Sequence, residues 1–126
     1  MSVLVAVADL FFASKIDAAG KGAPRAKRGE DLVAQVRREK PARLLVELGA
    51  TAFGGPAIDA IRVIKSDPEL AATQVVGYCR HTEVDRIRAA KTAGADRVLT
   101  QGEFAELLPS LLEEGSALPK GAASCD

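Results

Sequence analysis

Apolar runs of strand length alternate along this chain with segments whose apolar residues recur at helical spacing, and βα units on a parallel sheet satisfy both periods. Val3-Leu4-Val5-Ala6-Val7-Ala8 is apolar at every position, as a strand buried on both faces requires. Leu10 to about Ala19 suits a first helix through Phe11, Phe12, Ile16 and Ala19, with Gly20 and Gly22 ending it. Ala23-Pro24-Arg25-Ala26-Lys27-Arg28-Gly29 is the weak point. A second strand there must be short, polar and at a sheet edge, where charge blocks unwanted pairing. Glu30 to Lys40 predicts a helix with Leu32, Val33 and Val36 inward, stopped by Pro41.

Arg43 to Leu48 reads as a central third strand, followed by a small-residue loop through Gly54 and Gly55. Pro56 to Ser66 predicts a helix with Pro56 in its first turn, Ile58, Ile61 and Ile64 on one face, and Asp67-Pro68 closing it. Gln74 to Cys79 is the fourth strand, and Thr82 with Asp85 reads as a capping box for a helix ending near Gly94. Arg97 to Thr100 is the fifth. In the last helix Phe104, Leu107, Leu108, Leu111 and Leu112 fall at i, i+3, i+4, i+7 and i+8. Pro109 inside it predicts a kink or a start later than Glu103. The expected fold class is α/β: a flavodoxin-like, doubly wound, five-stranded parallel sheet in the order 2-1-3-4-5 with helices on both faces. One domain is expected over residues 1–114, with a flexible Gly-, Ala-, Ser- and Pro-rich tail over 115–126.

With 126 residues, 48% hydrophobic and 27% charged, the chain can bury one core. Its 17 basic and 17 acidic residues balance, which argues against a nucleic-acid partner or a membrane surface, since both demand a basic excess. Cys79 and Cys125 lie too far apart for a disulfide framework and suit reduced thiols. The apolar start has no basic leader region, is interrupted by Asp9 and runs into Lys15, so it reads as strand then helix. No run approaches the roughly 20 apolar residues of a membrane span. A soluble, cytoplasmic protein is the expectation.

In the 2-1-3-4-5 order a site lies beyond the carboxyl ends of the first, third and fourth strands. That gathers Asp9, Glu47, Cys79 and His81, with Thr100 and Gln101 nearby. A Cys before a helix can have an activated thiolate. The run from Cys79 to Arg86 is nevertheless too long for a phosphatase loop and sets Glu83 and Asp85 against an anion, so Cys79 reads as structural. His81 is the single histidine, which excludes a histidine metal cluster. Gly20-Lys21-Gly22 lacks the upstream glycine and following Ser or Thr of a phosphate loop, and Asp9-Leu10-Phe11-Phe12 is the reverse of a flavin-binding turn. Neither a metal nor a cofactor is expected.

The segment Thr92-Ala93-Gly94-Ala95-Asp96-Arg97-Val98-Leu99-Thr100 resembles the AGAD-x-x-L-T run of response-regulator receiver domains. Ile64-Lys65-Ser66-Asp67-Pro68 resembles the same family's I-R-x-D-P run, and the resemblance spans residues 2–114. Active receivers use an acidic pair and an acceptor Asp to hold Mg²⁺ and take the phosphoryl group, with a Ser or Thr and a Lys on its oxygens. The resemblance places Glu47 at the acceptor position, leaves Asp9 alone in the acidic pocket, and puts Cys79 at the Ser/Thr position. Gln101 falls at the Lys position, with Gly102 after it, and Val98 at the switch aromatic. It therefore implies a degenerate pseudo-receiver, without enzymatic activity, in which Glu47 mimics the phosphorylated state or plugs a dead pocket.

Such a chain is expected to act as a signalling adaptor in a two-component or phosphorelay pathway, through a protein partner, with a homodimer as one form it could take. The alternatives are a weakly phosphorylatable response regulator and a small-molecule sensor in the cleft. Phe11 and Phe12, being adjacent, cannot both face inward on one helix. Lys21, Arg25, Lys27 and Arg28 form a basic stretch that could meet an acidic partner. In active receivers the face of the fourth helix, fifth strand and fifth helix carries output, and here Arg86, Arg88, Lys91 and Asp96 would line it.

Overall fold

The computed structural model describes residues 3–18 and 23–113. The expected helix stop at Gly20 and Gly22, Lys21 of the basic stretch, Cys125 and the tail over 115–126 lie outside the described residues. In chain order the elements are β1 (Val3–Ala6), α1 (Leu10–Ala18), α2 (Leu32–Glu39), β2 (Arg43–Glu47), α3 (Ala57–Ser66), β3 (Gln74–Cys79), α4 (Val84–Ala93), β4 (Arg97–Thr100) and α5 (Gln101–Leu111).

The sheet is parallel, four-stranded and ordered β1-β2-β3-β4, with Val5 opposite Leu45, Leu45 opposite Val76 and Val76 opposite Arg97. Because side chains alternate across a strand, each strand feeds two cores. Val3, Val5, Leu45, Val76, Tyr78 and Leu99 pack under α1 and α5 against Phe12, Ile16, Phe104 and Leu108. Leu4, Ala6, Leu44, Val46, Val75 and Val98 pack on the other face against Leu32, Val36, Ile61, Ile64, Ile87 and Ala90 of α2, α3 and α4.

The expected five-stranded sheet is corrected here: the edge strand is reduced to one bridge between Arg25 and Val5. Val5 N donates to Pro24 O at 3.0 Å and Ala26 N to Val5 O at 2.8 Å, and the ladder then stops. The reason lies two residues on. The buried Gln35 side chain accepts from Lys27 N at 2.7 Å and donates to Lys27 O at 3.0 Å and Glu30 O at 3.1 Å. One amide does for this segment what a strand neighbour would do, satisfying its backbone without pairing.

Several expected boundaries also move. α2 begins at Leu32, with Asp31 as its N-cap accepting from Ala34 N at 3.0 Å. Pro56 is the N-cap residue of α3 rather than part of its first turn. The loop between β2 and α3 is held to the start of α2 by Gly29 N to Ala52 O at 2.7 Å and Leu32 N to Phe53 O at 2.9 Å. Gly54 sits at φ 83° against Asp31, whose Cα would lie 2.7 Å from an added Cβ, so both conformation and space demand glycine there. α4 ends on Gly94 in the left-handed region at φ 105°, as expected.

The Thr82–Asp85 capping box does not form: Glu83 is the N-cap residue, and its side chain accepts from no backbone N–H of α4. Glu83 instead accepts from Arg80 N at 3.1 Å and from Arg86. A complete box stands at Thr100 and Glu103, where Thr100 Oγ1 accepts from Glu103 N at 3.2 Å and Glu103 accepts from Thr100 N at 2.9 Å. α5 therefore starts at Gln101, earlier than Pro109 suggested, and carries that proline in its interior. Its last carbonyls find a donor in the buried Arg43, whose guanidinium reaches Leu111 O at 2.9 Å and Gln74 Oε1 at 3.2 Å.

Candidate functional site

At the carboxyl end of the sheet the chain brings Glu47 and the β1–α1 loop together. Glu47 ends β2 with its side chain half-buried, and its Oε1 accepts from Ala8 N and Asp9 N, both at 3.0 Å. Asp9 turns the other way: its Oδ1 accepts from Phe11 N at 2.8 Å and Phe12 N at 3.4 Å, capping the first turn of α1. Each carboxylate thus has backbone N–H donors of its own. Arg28 completes the loop by donating from Nη2 to Ala8 O at 2.7 Å.

Tyr78 lies beneath this arrangement, opposite Glu47 in the β2–β3 register. It is 1% exposed, and its hydroxyl has no hydrogen-bond partner among the described residues. Burial raises its pKa well above the ordinary phenol value, and the negative charge of Glu47 and Asp9 raises it further. The ring stacks on Phe104 with centroids 4.2 Å apart and meets Phe12 at 4.8 Å. Phe12 also packs on Phe104 at 5.6 Å, so three aromatic rings lock α1, β3 and α5 under the site.

The other expected site residues are distributed around this centre. Cys79 ends β3 as a buried cysteine outside any disulfide among the described residues, in register with Thr100. Gln101 is the half-buried first residue of α5, Val98 is buried in the α2–α3–α4 core, and His81 is exposed in the β3–α4 loop. Among the described residues no group of three or more His, Cys, Asp or Glu side chains comes together as a metal set. No helix of the described residues is long and apolar enough to cross a membrane.

The expected surfaces divide. Phe12 is buried and Phe11 exposed, as their adjacency required. Arg25 is exposed and pairs with Asp17 at 3.6 Å, while Arg28 is exposed but tied to the loop. Arg86 does not line the face expected of it. It pairs with Glu83, and its Nη1 lies 3.0 Å from where a Cβ on Gly49 would be, so it leans over the β2–α3 loop at the mouth of the site. Asp96 is likewise committed elsewhere, accepting from Val75 N at 2.7 Å and Lys65 Nζ at 2.9 Å. Arg88 is exposed and Lys91 half-buried on α4.

No family model matches this sequence, and no curated protein matches it. Solved structures do match. A putative response regulator from Chloroflexus aurantiacus J-10-fl superposes with a TM-score of 0.69 at 18% identity, over 85% of this chain and 90% of that one. Chemotaxis response regulator CheY4 of Vibrio cholerae gives a TM-score of 0.69 at 12% identity, over 86% and 92%. The fold is that of a response-regulator receiver domain. The signal receiver domain of a DNA-binding response regulator (merR) from Colwellia psychrerythraea 34H, at 19% identity, covers 87% of this chain and 94% of that one with a TM-score of 0.67.

Within the receiver fold, the residues that sequence reasoning missed are Tyr78, Gln35 and Arg43. Each is a polar group on a strand or amphipathic helix whose burial depends on partners distant in sequence, so no local pattern marks it. The Thr100–Glu103 box did carry a signal, the T-x-x-E spacing itself.

Proposed function

We propose that this chain is a phosphorylation-independent pseudo-receiver, a cytoplasmic signalling adaptor that works by protein–protein contact. One observation supports the reading above the others. The carboxylate at the acceptor position already has one oxygen engaged by two backbone N–H groups of the facing loop. Only its other oxygen, Oε2, is left to meet phosphorus, and Cys79 and Gln101 stand where a hydroxyl and an ammonium would hold the transferred group there. Glu47 instead ties β2 to the β1–α1 loop, and the second acidic residue, Asp9, is turned into α1 rather than toward it. Of the alternatives left open for Glu47, this geometry favours the plug.

The remaining substitutions run the same way. Cys79 supplies a poor hydrogen-bond donor where a hydroxyl would meet a phosphoryl oxygen, and Gln101 supplies no charge where an ammonium would. A module of this kind carries no catalytic group of its own and transmits through whichever protein it contacts. Incubating the chain with acetyl phosphate and Mg²⁺ and measuring its intact mass tests the proposal. The mass is expected to stay that of the unmodified chain; a stoichiometric phosphoryl adduct on an acidic side chain would sink the reading.

A further inference from the structure

The Tyr78 hydroxyl is buried, has no hydrogen-bond partner among the described residues, and plays no part in the plug at Glu47. Its register partner on β2 is Glu47 itself, and residues paired in register put their side chains on the same face of the sheet. Glu47 engages the β1–α1 loop with one oxygen only. Oε1 accepts from Ala8 N and Asp9 N, while Oε2 accepts from no group of the described residues. We infer that Tyr78 and Glu47 form a two-position latch on the β1–α1 loop. In one position Glu47 holds Ala8 N and Asp9 N; in the other it accepts from the Tyr78 hydroxyl and the loop is released.

The two positions are closely matched in what they satisfy. In the first, two backbone N–H groups meet a charged oxygen, and a buried phenol bears the cost of having no partner. In the second, the phenol gains a charge-assisted O–H···O bond, one of the shorter and stronger kinds. The N–H groups released belong to Ala8 and Asp9, both half-buried at the rim, where water can take the place of Glu47. A buried donor satisfied is set against two rim donors hydrated, and such near-equal exchanges are what a two-state element is made from.

Packing decides which part moves. The Tyr78 ring is stacked on Phe104 at 4.2 Å and meets Phe12 at 4.8 Å, so the phenol is fixed. Glu47 stands half-buried at a strand end, so its carboxylate does the switching. The loop it releases runs into Leu10 and Phe11, both exposed and packed in neither core. Arg28, donating to Ala8 O, limits how far the released loop travels.

Amide hydrogen exchange on the isotope-labelled full chain tests the latch. In the parent, Ala8 and Asp9 should exchange by a local opening, faster than Leu45 and Val76 in the sheet. Tyr78→Phe should slow exchange at Ala8 and Asp9 about ten-fold, because the released position loses a hydrogen bond to a charged group. Leu45 and Val76 should change only as far as urea unfolding of the same variant accounts for. A merely structural Tyr78 would move all four amides together. Adding Tyr78→Phe to Glu47→Ala should leave Ala8 and Asp9 exchange where Glu47→Ala alone puts it, since no second position remains to be lost. Exchange at Ala8 and Asp9 that ignores Tyr78→Phe in the parent chain overturns the latch, and so does the same slowing in the Glu47→Ala background. The first comparison needs only Tyr78→Phe, so it stands even where Glu47→Ala fails to fold. The latch is separate from the adaptor reading: a phosphoryl adduct in the intact-mass assay strikes that reading, and exchange indifferent to Tyr78→Phe strikes the latch alone.

Discussion

At Glu47 a single oxygen accepts two backbone N–H groups across the gap between β2 and the β1–α1 loop. Glu47→Ala leaves both donors without that partner, and a half-buried donor pair of this kind costs about 1–3 kcal/mol. Glu47→Gln keeps an acceptor oxygen and is expected to lose less, under about 1 kcal/mol. Urea unfolding of the two variants should show that ranking, with amide exchange at Ala8 and Asp9 accelerating only in Glu47→Ala. The acid itself was legible in sequence, because an apolar strand ending on a carboxylate is conspicuous. Its partners were not, since Ala8 and Asp9 are 39 and 38 residues away and contribute only main chain.

At the scale of elements, the chain replaces an edge strand with a side chain. Residues 23–29 combine Pro24, which has no N–H, with charged residues that resist a ladder, and Gln35 takes over the backbone groups beyond Ala26. Gln35→Leu preserves size and removes all three bonds, so a loss of about 2–3 kcal/mol is expected. Hydrogen exchange should then open Lys27 while β2 and β3 stay protected. β3 and β4 were readable to the residue because short apolar runs bounded by polar segments leave little choice of start or end. The cap of α4 was misread because Glu83 reaches back to Arg80 N and across to Arg86, bonds that a three-residue spacing rule does not weigh.

At the scale of the whole molecule, Tyr78 couples global stability to alkali. Burial and the adjacent carboxylates hold its pKa above the ordinary phenol value of 10.0. Above that pH the unfolded chain releases the phenolic proton while the folded chain keeps it, so the unfolded state binds fewer protons and stability falls. The contribution is whole below pH 10 and is lost as pH climbs from there toward the folded value. Tyr78→Phe should flatten that loss relative to the parent chain. Near neutrality it should be neutral or stabilising, because it removes a buried hydroxyl that has no partner. The chain has one tyrosine and no tryptophan, so tyrosinate absorbance during alkaline unfolding follows this group directly.

The order of apolar runs and helical periods was enough to dictate a parallel α/β sheet with two cores, because burial on both faces leaves each strand a single readable pattern. The position of Glu47 at the end of a central strand followed from the same pattern. Only the folded chain decided that the sheet has four strands, that Glu47 grips the opposite loop, that Phe11 rather than Phe12 meets solvent, and that Arg86 leans over the site. Each of those outcomes turns on polar or aromatic groups meeting partners far along the chain. Local periodicity records which face a residue prefers, and it holds no record of which distant N–H, carbonyl or ring will be there to meet it.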